Sequence, residues 1–466
     1  MNVDYHNTEC SVSGTGDELE WLRNYLTMEQ RQYVPALRKF RVTYVSMLNV
    51  LGKTFPAGML PIVQRRAAKD GVDLFVHDLR AVPRAPTHRG LEWLRDYQRS
   101  AYDTAIDRTR GILWIPTGGG KTECFVALAR SVREPWLLLV HRTQLARQAA
   151  QRYKLRTDEE AGVVGEGVFD PRRVTCATYQ TLHARAGDGD VRQLLCAARG
   201  IVCDESHTSP AETFTAVIRR ATNAYYRIGL SGTPLDRTDK RSIEAISWLG
   251  PVVCRVLPQT LIDAGVLSTP KITMVPVQQQ LPPSSNRKYS SLYKHLIVRS
   301  DRRNAAVLEM TKRAEKPCMV FVKHLPHAMA LTRMAQSYGI NAIMVDGRDR
   351  TVVREQRLAS LTRGAIDVIV CTKVFQEGID VPELRSVVVA TGGKSTIDTI
   401  QRIGRGSRVA AGKDTFEVWD VLDTGEPILQ RHARERIKAY QREGYEVHVE
   451  HQSKTPLPGG ATKQGR

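Results

Sequence analysis

From Leu91 onward, short uninterrupted apolar runs alternate with longer amphipathic stretches. Residues 112–115, 136–140, 174–178, 201–203 and 227–230 are brief and almost wholly apolar. Runs of this kind suit the buried strands of a parallel sheet, with the intervening stretches as crossover helices. The layout resumes at residues 318–322, 343–345, 368–371, 387–390 and 416–421, without any repetition of the sequence itself. A looser region, roughly 258–304, separates the two sets. Within it Gln278-Gln-Gln-Leu-Pro-Pro-Ser-Ser-Asn286 reads as linker, because Pro and Ser dominate it. Two α/β lobes in tandem are expected, over residues 89–257 and 258–450.

Ahead of the lobes, residues 41–50 are rich in Val, Tyr and Thr and predict a strand. Phe55-Pro-Ala-Gly58 predicts a turn, and Pro61 is tolerable in the first turn of a helix that runs to Lys69 and stops at Asp70-Gly71. Residues 72–77 return as a strand. Ala81-Val-Pro-Arg-Ala-Pro-Thr-His88 has two prolines and no periodicity, which marks a linker. The expectation is a small α+β domain over residues 1–88. Residues 451–466, with Ser453-Lys-Thr-Pro-Leu-Pro-Gly-Gly460, read as a disordered tail.

Charge narrows the classes. Lys plus Arg number 68 against 49 Asp plus Glu, a formal net charge of +19, and a protein this basic usually meets a polyanion, most commonly nucleic acid. No apolar stretch approaches the roughly 18 residues that span a bilayer, and the first residues lack a signal peptide's pattern. The eight cysteines include no CxxC pair, which fits scattered reduced thiols in a cytoplasmic protein better than disulfides or zinc.

Three segments carry candidate chemistry. Pro116-Thr-Gly-Gly-Gly-Lys-Thr122 follows a predicted strand and opens an apolar helix. Its residues Pro116, Thr117, Gly118, Gly119 and Gly120 let the backbone wrap a phosphate at a helix N-terminus. Lys121 would then reach the β- and γ-phosphates and the Thr122 hydroxyl would ligate Mg2+. The strict phosphate-loop pattern has Gly where Ile115 stands. Asp204-Glu-Ser-His207 comes 83 residues after Lys121, at the end of a predicted strand. Asp204 suits the second anchor of a phosphate-bound magnesium, and Glu205 suits the base that deprotonates an attacking water. In Gln401-Arg-Ile-Gly-Arg-Gly-Ser-Arg408, Arg405 and Arg408 lie three apart, as two guanidinium groups reaching one triphosphate would require. An arginine supplied from another lobe makes catalysis depend on lobe closure.

On these residues the chain resembles the superfamily 2 DExH-type helicases, over about residues 91–446. Further motifs follow in the family's order. Leu94-Arg-Asp-Tyr-Gln98 resembles the glutamine motif, which implies that Gln98 reads the adenine edge of ATP and Arg95 stacks on the base. Val140-His-Arg-Thr-Gln-Leu145 and Thr178-Tyr-Gln-Thr181 resemble first-lobe motifs that hold a nucleic-acid backbone, implicating Arg142, Thr143, Thr178 and Gln180. Ser231-Gly-Thr-Pro234 resembles the motif that couples hydrolysis to strand movement through Ser231 and Thr233, with Gly232 in place of the usual Ala. Thr372-Lys-Val-Phe-Gln-Glu-Gly-Ile-Asp380 resembles the fifth motif, with Thr372 on a phosphate and Gly378 and Asp380 near the nucleotide. His207 and Gln401 would bridge the cleft.

The resemblance implies two RecA-like lobes and an ATP- and Mg2+-dependent motor on duplex, forked or four-way DNA, working beside recombination or replication proteins in a bacterial or phage-infected cell. Its LRxYQ, DESH and QRxGRxxR forms are similar to duplex translocases: the transcription-repair helicase type, type III restriction translocating subunits and phage branch-migration helicases. A motor subunit of a restriction or nuclease complex and an RNA helicase are the alternatives.

Overall fold

The computed structural model describes residues 1–34, 39–51, 53–204, 211–232, 240–279, 281, 288–372, 381, 383–393, 409, 413 and 415–450. Contacts divide the chain into two units, Met1–Thr260 and Leu261–Arg466.

In the first unit, a large sheet is built on the apolar runs. Its strand order is Val168–Asp170, Gly162–Gly165, Val174–Thr178, Trp136–Val140, Gly200–Asp204, Tyr226–Ser231, Arg110–Trp114 and Val252–Arg255. All neighbours are parallel except the first pair, an antiparallel hairpin. Leu137, Leu139, Ile201 and Cys203 are inaccessible to water, as strands covered on both faces require. Five of the eight strands coincide with predicted runs. The other three, Gly162–Gly165, Val168–Asp170 and Val252–Arg255, carry apolar runs of only two or three residues and lie outside the predicted runs.

A four-stranded sheet precedes it, ordered Thr54–Pro56, Glu9–Ser13, Asn2–Tyr5 and Phe75–Asp78. The helices Gly16–Tyr25 and Leu60–Asp70 complete this domain around Val3, Cys10, Val12, Leu22, Phe55 and Val63. The second helix ends at Gly71, which adopts φ +70° as a left-handed cap. The predicted strand at 41–50 lies instead at Lys39–Ser46, paired antiparallel with Thr27–Val34 in a separate eight-pair ribbon. The N-terminal domain packs on the large sheet's amino edge. Arg110, at the first position of its strand, donates to the Asn7 carbonyl at 2.7 Å, and Gly58 lies against the carbonyls of Ile246 and Ser247.

The second unit has a seven-stranded parallel sheet in the order Ala342–Val345, Val368–Cys371, Cys318–Phe321, Ser386–Val389, Thr415–Thr424, Thr269–Gln278 and Val447–Val449. Here the looser region of the sequence is corrected, because Thr269–Gln278 is a ten-residue strand. Its outer neighbour pairs only with Ile272, Thr273 and Met274, so Pro270 and Pro276 fall where that edge needs no N–H donor. The helical segments Pro258–Asp263, Tyr289–Leu292 and Tyr293–Val298 also lie in the region read as loose.

Candidate nucleotide-binding site

The strand Arg110–Trp114 leads into the glycine loop at the carboxyl edge of the first unit's sheet. The Ile115 N–H donates to the Ser231 carbonyl at 2.9 Å, which pins the start of the loop to the neighbouring strand. The loop closes by Gly119 N–H donating to the Pro116 carbonyl at 3.0 Å. Gly118 and Gly120 adopt φ +89° and +78°, a region that side-chain-bearing residues rarely enter. The helix Lys121–Ser131 starts at Gly120 with no side-chain cap, the Glu123 N–H donating to the Gly120 carbonyl at 2.9 Å, and a helix N-terminus of this kind favours an anion.

Gln98 is the loop's buttress. It is 2% exposed; its Oε1 accepts from the Arg95 N–H at 3.0 Å and its Nε2 donates to the Gly119 carbonyl at 3.0 Å. The Tyr97 hydroxyl donates to the same carbonyl at 3.1 Å. Both ends of the Gln98 amide are therefore engaged within the protein, while Arg95 is exposed at the start of its helix.

Asp204 ends the strand Gly200–Asp204, opposite Leu230, and the strand Tyr226–Ser231 lies between it and the glycine-loop strand. Thus Lys121, Thr122, Asp204 and Ser231 share one sheet edge, where open α/β sheets hold their ligands. Ser231 is buried at 2% exposure. The Lys121 ammonium folds toward Gly232: a Cβ there would stand 2.8 Å from Lys121 Nζ and 3.0 Å from Thr117 Oγ1. The sequence-predicted Glu205, His207, Thr233, Gly378, Asp380, Gln401, Arg405 and Arg408 lie outside the described residues.

Farther along the edge, the four candidate nucleic-acid residues of this unit are brought together at the ends of the paired strands Trp136–Val140 and Val174–Thr178. Arg142 and Gln180 are exposed, and Gln180 Nε2 donates to the His141 carbonyl at 3.2 Å. Thr143 and Thr178 are each 4% exposed and pack on Gly165, and Thr178 Oγ1 caps a short helix by accepting from the Thr181 N–H at 3.4 Å. Two exposed and two buried residues thus make up the set.

In the second unit, Thr372 lines a cavity of about 370 Å³ with Lys323, His324, Asp346, Gly347 and Arg348. Burial and the Lys323 charge hold His324 below its ordinary pKa, and hydrogen bonds from Arg348 hold the Asp346 carboxyl below the usual range. Sequence reasoning missed Lys323, His324 and Arg348. The signal was available, since Lys323 and His324 come two and three residues after the strand Cys318–Phe321, at the carboxyl edge of a parallel sheet, where open α/β sheets hold their ligands. It also missed Glu123 in the glycine-loop helix, which is 5% exposed and pairs with Arg152 and with Arg156 at 3.1 Å. Those two arginines belong to the helix Thr143–Thr157, so the ion pairs join the phosphate-loop helix to the helix that begins at Thr143.

Residues 92–236 match the res subunit family of type III restriction enzymes, and residues 288–410 match the helicase conserved C-terminal domain. These two matches stand in tandem on two parallel-sheet lobes, the domain pair and fold of the superfamily 2 helicases. It is 28% identical over 367 residues to the DNA 3'-5' helicase XPB of Mycobacterium tuberculosis, covering 76% of this chain and 65% of that protein. It is 26% identical over 349 residues to the ATP-dependent DNA helicase uvsW of Enterobacteria phage T4, covering 70% of this chain and 68% of that one. Among solved structures, the ATP-dependent type ISP restriction-modification enzyme LlaBIII bound to DNA has the same fold, with TM-score 0.58 at 16% identity, over 84% of this chain and 34% of that one. The chain spans about half to two thirds of the length of most curated relatives it matches. No described helix is long and apolar enough to cross a membrane, and no described cluster of His, Cys, Asp and Glu forms a metal site on its own.

Proposed function

We propose that this chain is an ATP-driven DNA helicase or translocase that moves along or remodels duplex and forked DNA. The observation that carries the reading is one sheet edge presenting Lys121 and Thr122 on a glycine loop and Asp204 two strands away. Magnesium-bound ATP supplies the transferable phosphoryl group. The Thr122 hydroxyl and the Asp204 carboxylate would hold its metal, a hard cation that takes oxygen ligands. Lys121, with the loop amides, would bind the phosphates, and Glu205 would accept the proton of the attacking water. Arg405 and Arg408 would meet the charge that develops on the transferring group.

DNA is favoured as the track by the net charge of +19 and by the DNA helicase names of the relatives. Contacts from Arg142, Gln180, Lys323 and Thr372 to a backbone would give affinity without sequence preference, and binding would weaken steeply with salt. The test is steady-state ATP hydrolysis with no nucleic acid, single-stranded RNA, single-stranded DNA, linear duplex and a four-way junction, with Glu205→Gln as the contamination control. Stimulation by DNA supports the reading; strongest stimulation by the junction supports branch remodelling, and stimulation by RNA alone overturns it. A restriction motor is the second reading, favoured by the res-subunit match over residues 92–236. It predicts weak ATPase until a partner subunit is added.

A further inference from the structure

Tyr179 stands between Thr178 and Gln180, two of the candidate nucleic-acid residues, yet it is 0% exposed and faces the core. It opens the short helix Tyr179–Ala184, directly after the strand Val174–Thr178. Its ring packs on Phe214, of the helix Ala211–Arg220, with 5.7 Å between centroids. Its hydroxyl lies beside the thiol of Cys203, the residue before Asp204. The strand Trp136–Val140 runs between the strands that lead to these two residues, so the Tyr179 and Cys203 side chains meet across it. One side chain thus joins the turn that carries Thr178 and Gln180 to residues on both sides of Asp204, Cys203 before it and Phe214 after it.

The hydroxyl is the anomaly. It is buried, and among the described residues it has no hydrogen-bond partner. The neighbouring thiol is a weak acceptor. A Phe would fill the same space without leaving a buried donor unpaired, a penalty that an apolar residue of the same shape avoids. Burial, with the Cys203 thiol and the Asp204 charge, holds the phenol well above its ordinary pKa, so the hydroxyl keeps its proton and remains a donor. Asp204 is the carboxylate whose charge acts on it. A carboxylate that holds a metal is aimed by the donors behind it, and a hydrogen bond to a charged acceptor is stronger than one to a neutral acceptor.

We propose that Tyr179 is a positioning residue, a relay through which DNA held at Thr178 and Gln180 brings the phenolic hydroxyl onto the Asp204 carboxylate and fixes that carboxylate for the nucleotide's metal. The proposal rests on the roles given above to Asp204, Thr178 and Gln180. The unmade bond costs free energy, and forming it to Asp204 recovers that cost. Coupling of this kind is reciprocal: the factor by which DNA raises the affinity for nucleotide is the factor by which nucleotide raises the affinity for DNA.

Tyr179→Phe removes the hydroxyl and keeps the ring against Phe214. Phe214→Leu is the control, since it loosens the same packing and leaves the hydroxyl in place. Three quantities would be measured for wild type and both variants. They are the ratio of DNA-stimulated to unstimulated kcat, the factor by which Mg2+ and a non-hydrolysable ATP analogue change the affinity for duplex DNA, and the thermal midpoint. Tyr179→Phe should lower the kcat ratio and the affinity factor by about three- to tenfold each, with the midpoint unchanged or higher. Phe214→Leu should lower the midpoint and keep both. A kcat ratio or an affinity factor like that of wild type in Tyr179→Phe overturns the relay. So does an equal loss in Phe214→Leu, which marks a packing role, or a lower midpoint in Tyr179→Phe, which marks a hydroxyl already bonded. A wild-type protein without ATPase sinks the proposed function instead, and the affinity factor then decides the relay by binding alone. Independent binding of DNA and nucleotide by wild type overturns it.

Discussion

Gln98→Glu separates two roles for one amide. The substitution keeps the shape and exchanges a donor for an acceptor at a site 2% exposed. The bond from the Arg95 N–H to Oε1, 3.0 Å long, survives. The bond from Nε2 to the Gly119 carbonyl, also 3.0 Å, becomes two oxygens facing each other. Gly119 keeps the Tyr97 hydroxyl at 3.1 Å, so its carbonyl is not orphaned. One buried hydrogen bond lost is worth about 1 kcal/mol, and an opposed buried acceptor adds roughly 1–2 more. At about 2–4 °C per kcal/mol for a unit of this size, the first unfolding transition should fall by roughly 4–12 °C. The strained backbone is the same loop that would wrap the phosphates, so affinity for ATP and GTP should fall together. Binding titrations with both nucleotides, run beside thermal unfolding, check this. A selective loss of ATP binding at an unchanged midpoint would refute the buttress and restore Gln98 to the adenine edge. Burial raises the pKa of the introduced carboxyl, so mild acid should return the donor and part of the stability.

Three further expectations follow from other sites. His327 is buried; its Nε2 donates to Asn304 Oδ1 at 2.9 Å, and burial, helped by Arg303 and His324, pushes its pKa down to about 3. The unfolded chain takes up this proton near pH 6.5 and the folded one does not until about pH 3, so its contribution is whole above pH 6.5 and declines as the pH falls between those values. His327→Gln should flatten the stability difference between pH 7.5 and pH 5 by about 2 kcal/mol in urea titrations, and an unaltered slope would remove His327 from the account. Gly58→Ala would put a Cβ 2.4 Å from the Ile246 carbonyl and 2.5 Å from that of Ser247. Backbone cannot swing aside, so a loss of about 2–3 kcal/mol and faster proteolysis within the N-terminal domain are expected; a midpoint like that of wild type counts against the packing described. Lys121→Ala and Glu205→Gln should each abolish ATP turnover, the second with ATP binding intact, and turnover by Glu205→Gln would exclude it as the base.

The sheets were legible where burial is continuous and illegible where it is not. Trp136–Val140 and Val368–Cys371 are apolar at every position and read directly from the chain. Thr269–Gln278 alternates buried with exposed positions and contains Pro270 and Pro276, so its pattern is that of an irregular stretch until its neighbour, Thr415–Thr424, is in place. The site divides the same way. Lys121 and Asp204 announce themselves by motif spacing along the chain. No motif marks Arg303 or Arg436; they are buried against Asp423 and Asp420 of the strand Thr415–Thr424, which is distant in sequence from Arg303.

The N-terminal domain is joined to the first lobe in a way that governs how it can be tested. The stretch Ala81–His88, read as a linker, is fastened to the lobe through Arg80, just before it, and through Thr87. Arg80 pairs with Asp78, donates to Thr109 Oγ1 at 2.9 Å and lies between the rings of Tyr5 and Tyr225 at 4.2 and 4.4 Å. The Thr87 N–H donates to the Ser131 carbonyl at 2.9 Å, at the end of the phosphate-loop helix. Cutting the chain after His88 would leave the buried Arg110 without its acceptor on Asn7, and loss of activity in such a truncation would report damage to the lobe rather than a task of the domain. The ribbon Thr27–Val34 and Lys39–Ser46 offers a cleaner question, because it forms a sheet of its own and leaves Tyr44 70% and Val42 44% exposed. Replacing Tyr44 by Ser should move stability by no more than about 0.5 kcal/mol. A change in DNA-stimulated ATPase at constant stability would then belong to the ribbon's contact with the track, and an unchanged rate would leave the domain as a brace for the first lobe.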